Sequence, residues 1–242
     1  MKAVHVHDNI MKKKINAFPK NFFEEKAWEK SFFVCGIDEV GRGCLAGPVV
    51  TAAAIIPQNS SHELLKDSKI LTQKERELAF DWITQHCFYA TALACHKTID
   101  QHNIYQATRL AMKKAYISLI EQLPFALEKI KYVVVDAMPL TFENTYTHTD
   151  LEIRHFNYGE SISTSIAAAS IVAKVTRDRL MEKIHPLFPT YALEQHKGYC
   201  TKLHVQAILQ HGPSLLHRRS FLGKLQEKNS SHNEDIQQSL FE

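Results

Sequence analysis

The stretch Gly36-Ile37-Asp38-Glu39-Val40-Gly41-Arg42-Gly43 decides how this chain is read. An apolar run starting at Phe32 leads into it, and Cys44-Leu45-Ala46-Gly47-Pro48-Val49-Val50 follows. A strand thus runs into two adjacent carboxylates and then a Gly-Arg-Gly turn. Neighbouring acids at a strand end repel each other and are tolerated where a cation or solvent neutralises them. Successive side chains of a strand point to opposite faces. Asp38 and Glu39 therefore serve one site only if the strand ends or bulges there, or if Glu39 acts in part through its backbone carbonyl. The glycines beside Arg42 let main chain approach a ligand closely, and the arginine offers a planar cation for phosphate. The plain alternative is a strand followed by a solvated turn.

Outward from this stretch, a first strand is expected over residues 32–38 and a second over 49–56, stopped by Pro57. Gly41, Gly43, Gly47 and Pro48 punctuate the link. Thr72 and Glu75 have capping-box spacing and start a helix running to about Gln85. Residues 87–95 read as a third strand. From Asn103 to Leu123, Ile104, Ala107, Ala111 and Ala115 recur at helical spacing until Pro124. Residues 131–136 form a buried strand ending on an acid, and 151–156 alternate as a further strand. A long helix over 163–184 carries Ala167, Ala168, Ala169, Ser170 and Ala173, small enough to lie close against a sheet. A last helix spans 201–210 and stops at Gly212-Pro213. Strands first, then strands alternating with helices, then helices, indicate an α/β fold with a mixed sheet. Residues 1–30 read as a polar leader, 31–222 as the catalytic domain, and 223–242 as a disordered tail.

The 242 residues suffice for one well-packed domain. A net charge of +3 permits nucleic-acid binding without demanding it. The five cysteines are odd in number and form no Cys-x-x-Cys pair, which argues against a disulfide framework and against zinc. No signal-peptide core follows the N-terminus, and no apolar stretch is long enough to span a bilayer, so a cytoplasmic protein is expected. Nucleophile-elbow, P-loop and dinucleotide-fingerprint patterns are absent from the sequence.

What remains is carboxylate chemistry. Asp136 stands at the end of its strand, where ligands gather in open sheets. Its plainer role is strand capping. Glu160, in Gly159-Glu160-Ser161, is either a metal ligand or an acid favoured by the dipole of the helix that follows. Asp178, between Arg177 and Arg179, rivals it but reads more simply as a salt-bridge partner. Acids from separate segments, without His or Cys spacing, suggest a hard cation with oxygen ligands, Mg²⁺ or Mn²⁺.

The opening stretch from Gly36 to Val50 closely resembles the first motif of bacterial type 2 ribonucleases H. The likeness continues through Asp67-Ser68-Lys69, Val135-Asp136, Ile166 to Asp178, His196-Lys197-Gly198-Tyr199, Gly212-Pro213-Ser214 and His217-Arg218-Arg219-Ser220-Phe221. These segments occur in the family's order. The resemblance implies a ribonuclease H-like fold, with a central mixed five-stranded sheet flanked by helices and a helical C-terminal extension. It implies a two-metal site of four acids: Asp38, Glu39, Asp136 and a fourth that falls on Glu160, where the family usually has Asp. It assigns Gly41, Arg42 and Gly43 to the ribose 2′-hydroxyl at an RNA–DNA junction, Tyr199 to the neighbouring deoxyribose, and Lys69 to phosphate. The implied activity is cleavage 5′ to ribonucleotides in RNA–DNA hybrids and at single ribonucleotides in duplex DNA, leaving 3′-hydroxyl and 5′-phosphate, in replication and ribonucleotide removal. A type 3-like enzyme acting on long hybrids and a non-catalytic nucleic-acid-binding module are the alternatives. Arg42 and the short leader favour type 2. Finally, Gln237 to Phe241 resembles the peptide by which bacterial repair proteins bind the sliding clamp.

Overall fold

A computed structural model of the chain describes residues 20–142 and 146–223. Most of the leader and nearly all of the tail, with the Gln237–Phe241 peptide, lie outside the described residues. Five strands form one sheet in the order β3-β2-β1-β4-β5. They are β1 (Phe33–Val40), β2 (Val49–Ile55), β3 (Phe88–Ala94), β4 (Ile130–Asp136) and β5 (Glu152–Phe156). β1 runs antiparallel to β2 and parallel to β4, and β4 runs parallel to β5, so the sheet is mixed as expected. The helices are α1 (Phe22–Trp28), α2 (Gln73–His86), α3 (His96–Ile120), α4 (Thr164–Ile184), α5 (Leu193–His196) and α6 (Lys202–His211). The last two make the C-terminal region helical. Among the described residues no helix is long and apolar enough to cross a membrane.

The chain divides into two compact units. The first comprises Met1–Val40, Val50–Ala92 and Arg109–Val175, and the second Gly41–Val49, Leu93–Thr108 and Thr176–Glu242. In the first, strand alternation sorts the core into two layers. Cys35, Ile37, Ala53, Val133 and Val135 face Met112, Ala115, Tyr116 and Leu119 of α3. On the opposite sheet face, Val34, Tyr132 and Val134 meet Phe23 and Ala27 of α1 and Ile166 of α4. Ala52, Ala54 and Ile56 pack with Ala79 and Ile83 of α2 and with Ala168, Ala169, Val172 and Ala173 of α4. The small-residue stripe of α4 is thus sheet packing. In the second unit, Leu45 and Ala46 share a core with Met181, Tyr191, Leu193, Ile208 and Leu222.

Several boundaries differ from expectation. β1 does not stop at Asp38. It stays in regular register with β2 through Asp38↔Ala52, Glu39↔Thr51 and Val40↔Val50, because ladder bonding to a neighbour continues where the apolar run has ended. α3 begins at His96, ahead of Asn103, and breaks at that residue, whose φ is 62°. Asn tolerates such backbone better than other side-chain-bearing residues. The leader is also partly helical: α1 docks its aromatic face on β1 and β4. The Thr72–Glu75 capping box is present as read from the sequence.

Candidate active site

β1 and β4 pair in parallel as far as Ile37↔Val135. One residue further on come Asp136, the last residue of β4, and Asp38, two residues before the end of β1. Alternation places Asp38 on the sheet face shared with Gly36, which lies against the first turn of α4. Burial, then the charges of Glu39 and Asp136, hold the Asp38 carboxyl well above the usual carboxylate range. Asp136 is raised too, by burial first and by Glu39 next, although its Oδ1 accepts a 2.8 Å bond from the Gly159 N–H. That bond ties the end of β4 to the single 3₁₀ turn Gly159–Ser161, which carries Glu160. Glu160 is 7% exposed, and its Oε2 is buried without a hydrogen-bond partner. Burial and the Asp136 charge raise its pKa.

Glu39 joins this group differently. Regular pairing with β2 neither ends nor bulges at Asp38, so alternation turns the Glu39 side chain to the other face. Its backbone N–H donates to Asp38 Oδ1 at 2.7 Å, and its charge acts on both Asp38 and Asp136. Ladder pairing between β1 and β4 ends at Ile37, two residues ahead of Glu39.

Lys69 is exposed at the end of Asp67-Ser68-Lys69. Burial of part of its stem lowers its pKa, but the fields of Asp67, Glu160, Asp38 and Asp136 together outweigh this and raise it. The segment is anchored by Ser68, whose Oγ lies 2.8 Å from the Oγ of Ser170 on α4; Ser170 in turn hydrogen-bonds Asp38. Glu24 of α1 is fully buried and accepts from Ser163 Oγ at 2.6 Å and from the Ser165 N–H at 2.9 Å, capping the start of α4. Sequence reading missed Ser68, Ser170 and Glu24. Ser170 lay within a packing stripe and Ser68 between two charges, so neither carried a local signal.

Among the described residues no three His, Cys, Asp or Glu side chains already form a metal cage. One oxygen each of Asp38 and Asp136 is committed to a backbone N–H. The donor set nevertheless fits a hard divalent cation: crowded carboxyls, each with its proton affinity raised, and a buried Glu160 oxygen with no partner. A cation would relieve both the repulsion and the unmet oxygen.

The remaining sequence-derived residues belong to the second unit. Gly41, with φ at +92°, is buried, Arg42 is half-buried, and a side chain at Gly43 would meet open space. Tyr199 is 36% exposed, bridges Cys44 through antiparallel backbone pairing, and has the Arg177 guanidinium 5.6 Å from its ring centre. Burial raises the Tyr199 phenol. Asp178 also lies in this unit, where its charge acts on Tyr199.

Comparison with known proteins places the chain in a family. A ribonuclease HII of Caldicellulosiruptor saccharolyticus is 43% identical over 209 residues, covering 84% of this chain and 95% of its own. The ribonuclease H2 structure from Pyrococcus horikoshii OT3 superposes with a TM-score of 0.63 at 24% identity, over 82% of this chain and 99% of that one. The ribonuclease HII of Archaeoglobus fulgidus, solved in complex with PCNA, gives 0.59 at 24% identity, over 78% and 94%. These two likenesses speak to the fold. The family model for ribonuclease HII matches residues 35–224, from just ahead of Asp38 to the end of the described residues, and the chain belongs to that family.

Proposed function

We propose that this ribonuclease H hydrolyses the phosphodiester on the 5′ side of a ribonucleotide, in RNA–DNA hybrids and at single ribonucleotides embedded in duplex DNA, leaving 3′-hydroxyl and 5′-phosphate ends. The observation that carries the proposal is the gathering of Asp38, Asp136, Glu160 and Lys69 in one electrostatic cluster at the ends of parallel strands. Asp38, Glu39, Asp136 and Glu160 would hold Mg²⁺ or Mn²⁺. When bound, two such ions supply Lewis-acid stabilisation of the attacking and leaving oxygens. Lys69 supplies a cation for a backbone phosphate. Gly41, Arg42 and Gly43 would meet the ribose 2′-hydroxyl, the group that distinguishes RNA from DNA, and Tyr199 would stack on the adjoining deoxyribose. The tail peptide Gln237–Phe241 would tether the enzyme to a sliding clamp; the PCNA-bound Archaeoglobus relative supports this association.

The test is cleavage of a duplex holding one ribonucleotide, with Mg²⁺ or Mn²⁺ and the cut position mapped, beside a long hybrid and an all-DNA duplex. Asp38→Asn should lower turnover by about a hundredfold or more and raise the thermal midpoint of the metal-free protein by removing a crowded charge. Full turnover in folded Asp38→Asn would overturn the assignment. Cleavage of the long hybrid alone would favour a type 3-like enzyme.

A further inference from the structure

Two arginines in the second unit, Arg177 and Arg218, are completely buried. Among the described residues neither is paired with a carboxylate. Each spends its three guanidinium nitrogens on main-chain carbonyls instead. Arg218 donates through Nε to Gly47 O at 3.0 Å, through Nη1 to Arg42 O at 2.8 Å and through Nη2 to Gly41 O at 2.7 Å. Arg177 donates through Nε to Pro48 O at 2.9 Å, through Nη2 to Ala46 O at 3.1 Å and through Nη1 to Lys197 O at 2.7 Å. The Arg218 backbone N–H takes Leu45 O at 2.8 Å. A β-carbon on Gly41 would stand 2.3 Å from Arg177 Nε, so the turn lies directly on that guanidinium.

The consequence follows from peptide planarity. In a trans peptide the C=O and the next residue's N–H point in opposite directions. With Gly41 O and Arg42 O drawn inward onto Arg218, the N–H groups of Arg42 and Gly43 are turned outward. Successive amides presented this way form a concavity for an electronegative oxygen. Buried guanidinium charge beneath the turn strengthens that preference, since a buried cation acts through a low dielectric. Arg177 also lies under the Tyr199 ring and holds Lys197 O, two residues before it. Lysine cannot replace either residue: one ammonium nitrogen cannot span carbonyls that a planar fork reaches from three atoms.

We propose that Arg218 and Arg177 are positioning residues for ribose recognition, holding the carbonyls of Gly41, Arg42, Ala46, Gly47 and Pro48 inward so that the Arg42 and Gly43 amides face the substrate's 2′-oxygen. The inference rests on the reading that the Gly-Arg-Gly turn meets the ribose. Neither arginine touches substrate; both act through the turn.

The experiment compares Arg218→Lys, Arg177→Lys and Gly43→Pro, which removes the Gly43 N–H, on a duplex with one ribonucleotide and on a long hybrid, with kcat and KM resolved, binding of an all-DNA duplex measured and folding checked by thermal melting. Arg218→Lys should fold and bind the all-DNA duplex as before, while kcat/KM on both ribonucleotide substrates falls about a hundredfold, as expected for a contact misplaced by about 1 Å. An equal loss of all-DNA binding, or no loss of cleavage, overturns the positioning role. If Gly43→Pro also leaves cleavage intact, the reading of the turn itself fails. If Gly43→Pro lowers cleavage and Arg218→Lys does not, only the positioning role fails. Should the lysine variants not fold, amide exchange decides the matter in otherwise unaltered Asp38→Asn protein. The Arg42 and Gly43 amides should gain protection with the single-ribonucleotide duplex and not with the all-DNA duplex. Equal protection by both duplexes, or none, overturns the proposal.

Discussion

Replacing Gly36 by alanine adds one methyl group at the closest approach of sheet and helix. The new carbon would stand 2.1 Å from Ser165 C, 2.2 Å from Ile166 N and 2.5 Å from Ser165 O. All three are main-chain atoms in the first turn of α4, so no side-chain rotation relieves the clash. The nearest pair falls short of ordinary contact by about 1.3 Å, and β1 and α4 must separate by a comparable distance. Overpacking of this kind costs about 3 kcal/mol, the upper end of the usual range, because the clash is with backbone. The same movement pulls Ser170 from Asp38 and shifts the turn carrying Glu160, since both belong to α4 or its entry. A displacement near 1 Å at reacting groups costs about a hundredfold in rate. Denaturant unfolding measures the first effect, and single-turnover cleavage at saturating metal measures the second. Gly36→Ala with an unchanged unfolding midpoint and unchanged turnover would refute the claim that this contact sets the spacing of the acids.

The other predictions concern single groups. Glu160→Gln should weaken cleavage more than Asp178→Asn does, and Glu160→Asp should keep much of the activity; the reverse order in folded proteins would move the fourth ligand to Asp178. Buried His204 and His217, joined Nε2 to Nε2 at 3.0 Å, each have a pKa lowered to about 4, by burial foremost. Their folded values lie below the unfolded 6.5, so stability is complete above about pH 6.5 and is lost as pH falls toward 4. Between pH 7 and pH 5 the loss should be about 2 kcal/mol for each ring; a flat unfolding midpoint over that range would show that the rings protonate without penalty. Deleting residues 236–242 should leave cleavage of a short duplex unchanged and remove binding to a sliding clamp, and an intact protein that does not bind the clamp at tens of micromolar would end the tether idea.

Much of the architecture was legible because it is written locally. The apolar approach to Asp38, the valines before Asp136 and the capping box at Thr72 each carry their signal within a few residues. The small residues of α4 announced close packing, which Gly36 and the alanine layers supply. The illegible part is pairing between distant segments. Nothing near Glu24 signals Ser163, nothing near Ser68 signals Ser170, and the arginines within the recognised motifs gave no hint that they bind main-chain carbonyls of Gly41, Arg42 and Ala46 to Pro48. Periodicity reports which face of an element is buried, not what buries it. The length of β1 was misjudged for a related reason: hydrophobic patterning ends at Ile37, whereas β2 extends the ladder to Val40.

The cap formed by Glu24 has a bearing on how the chain is made. Its two partners lie 139 and 141 residues downstream. At a synthesis rate of about 5–20 residues per second, α1 leaves the ribosome on the order of ten seconds before the helix end it will close. During that interval its acid lacks the two donors it will bind, and Phe22 and Phe23 have no sheet complete enough to cover them, since Tyr132 and Phe156 are also still to come. The first helix among the described residues is therefore among the last to dock. A nascent chain stalled before Ser165 would present this aromatic, acidic segment to the cell as a binding site for a chaperone.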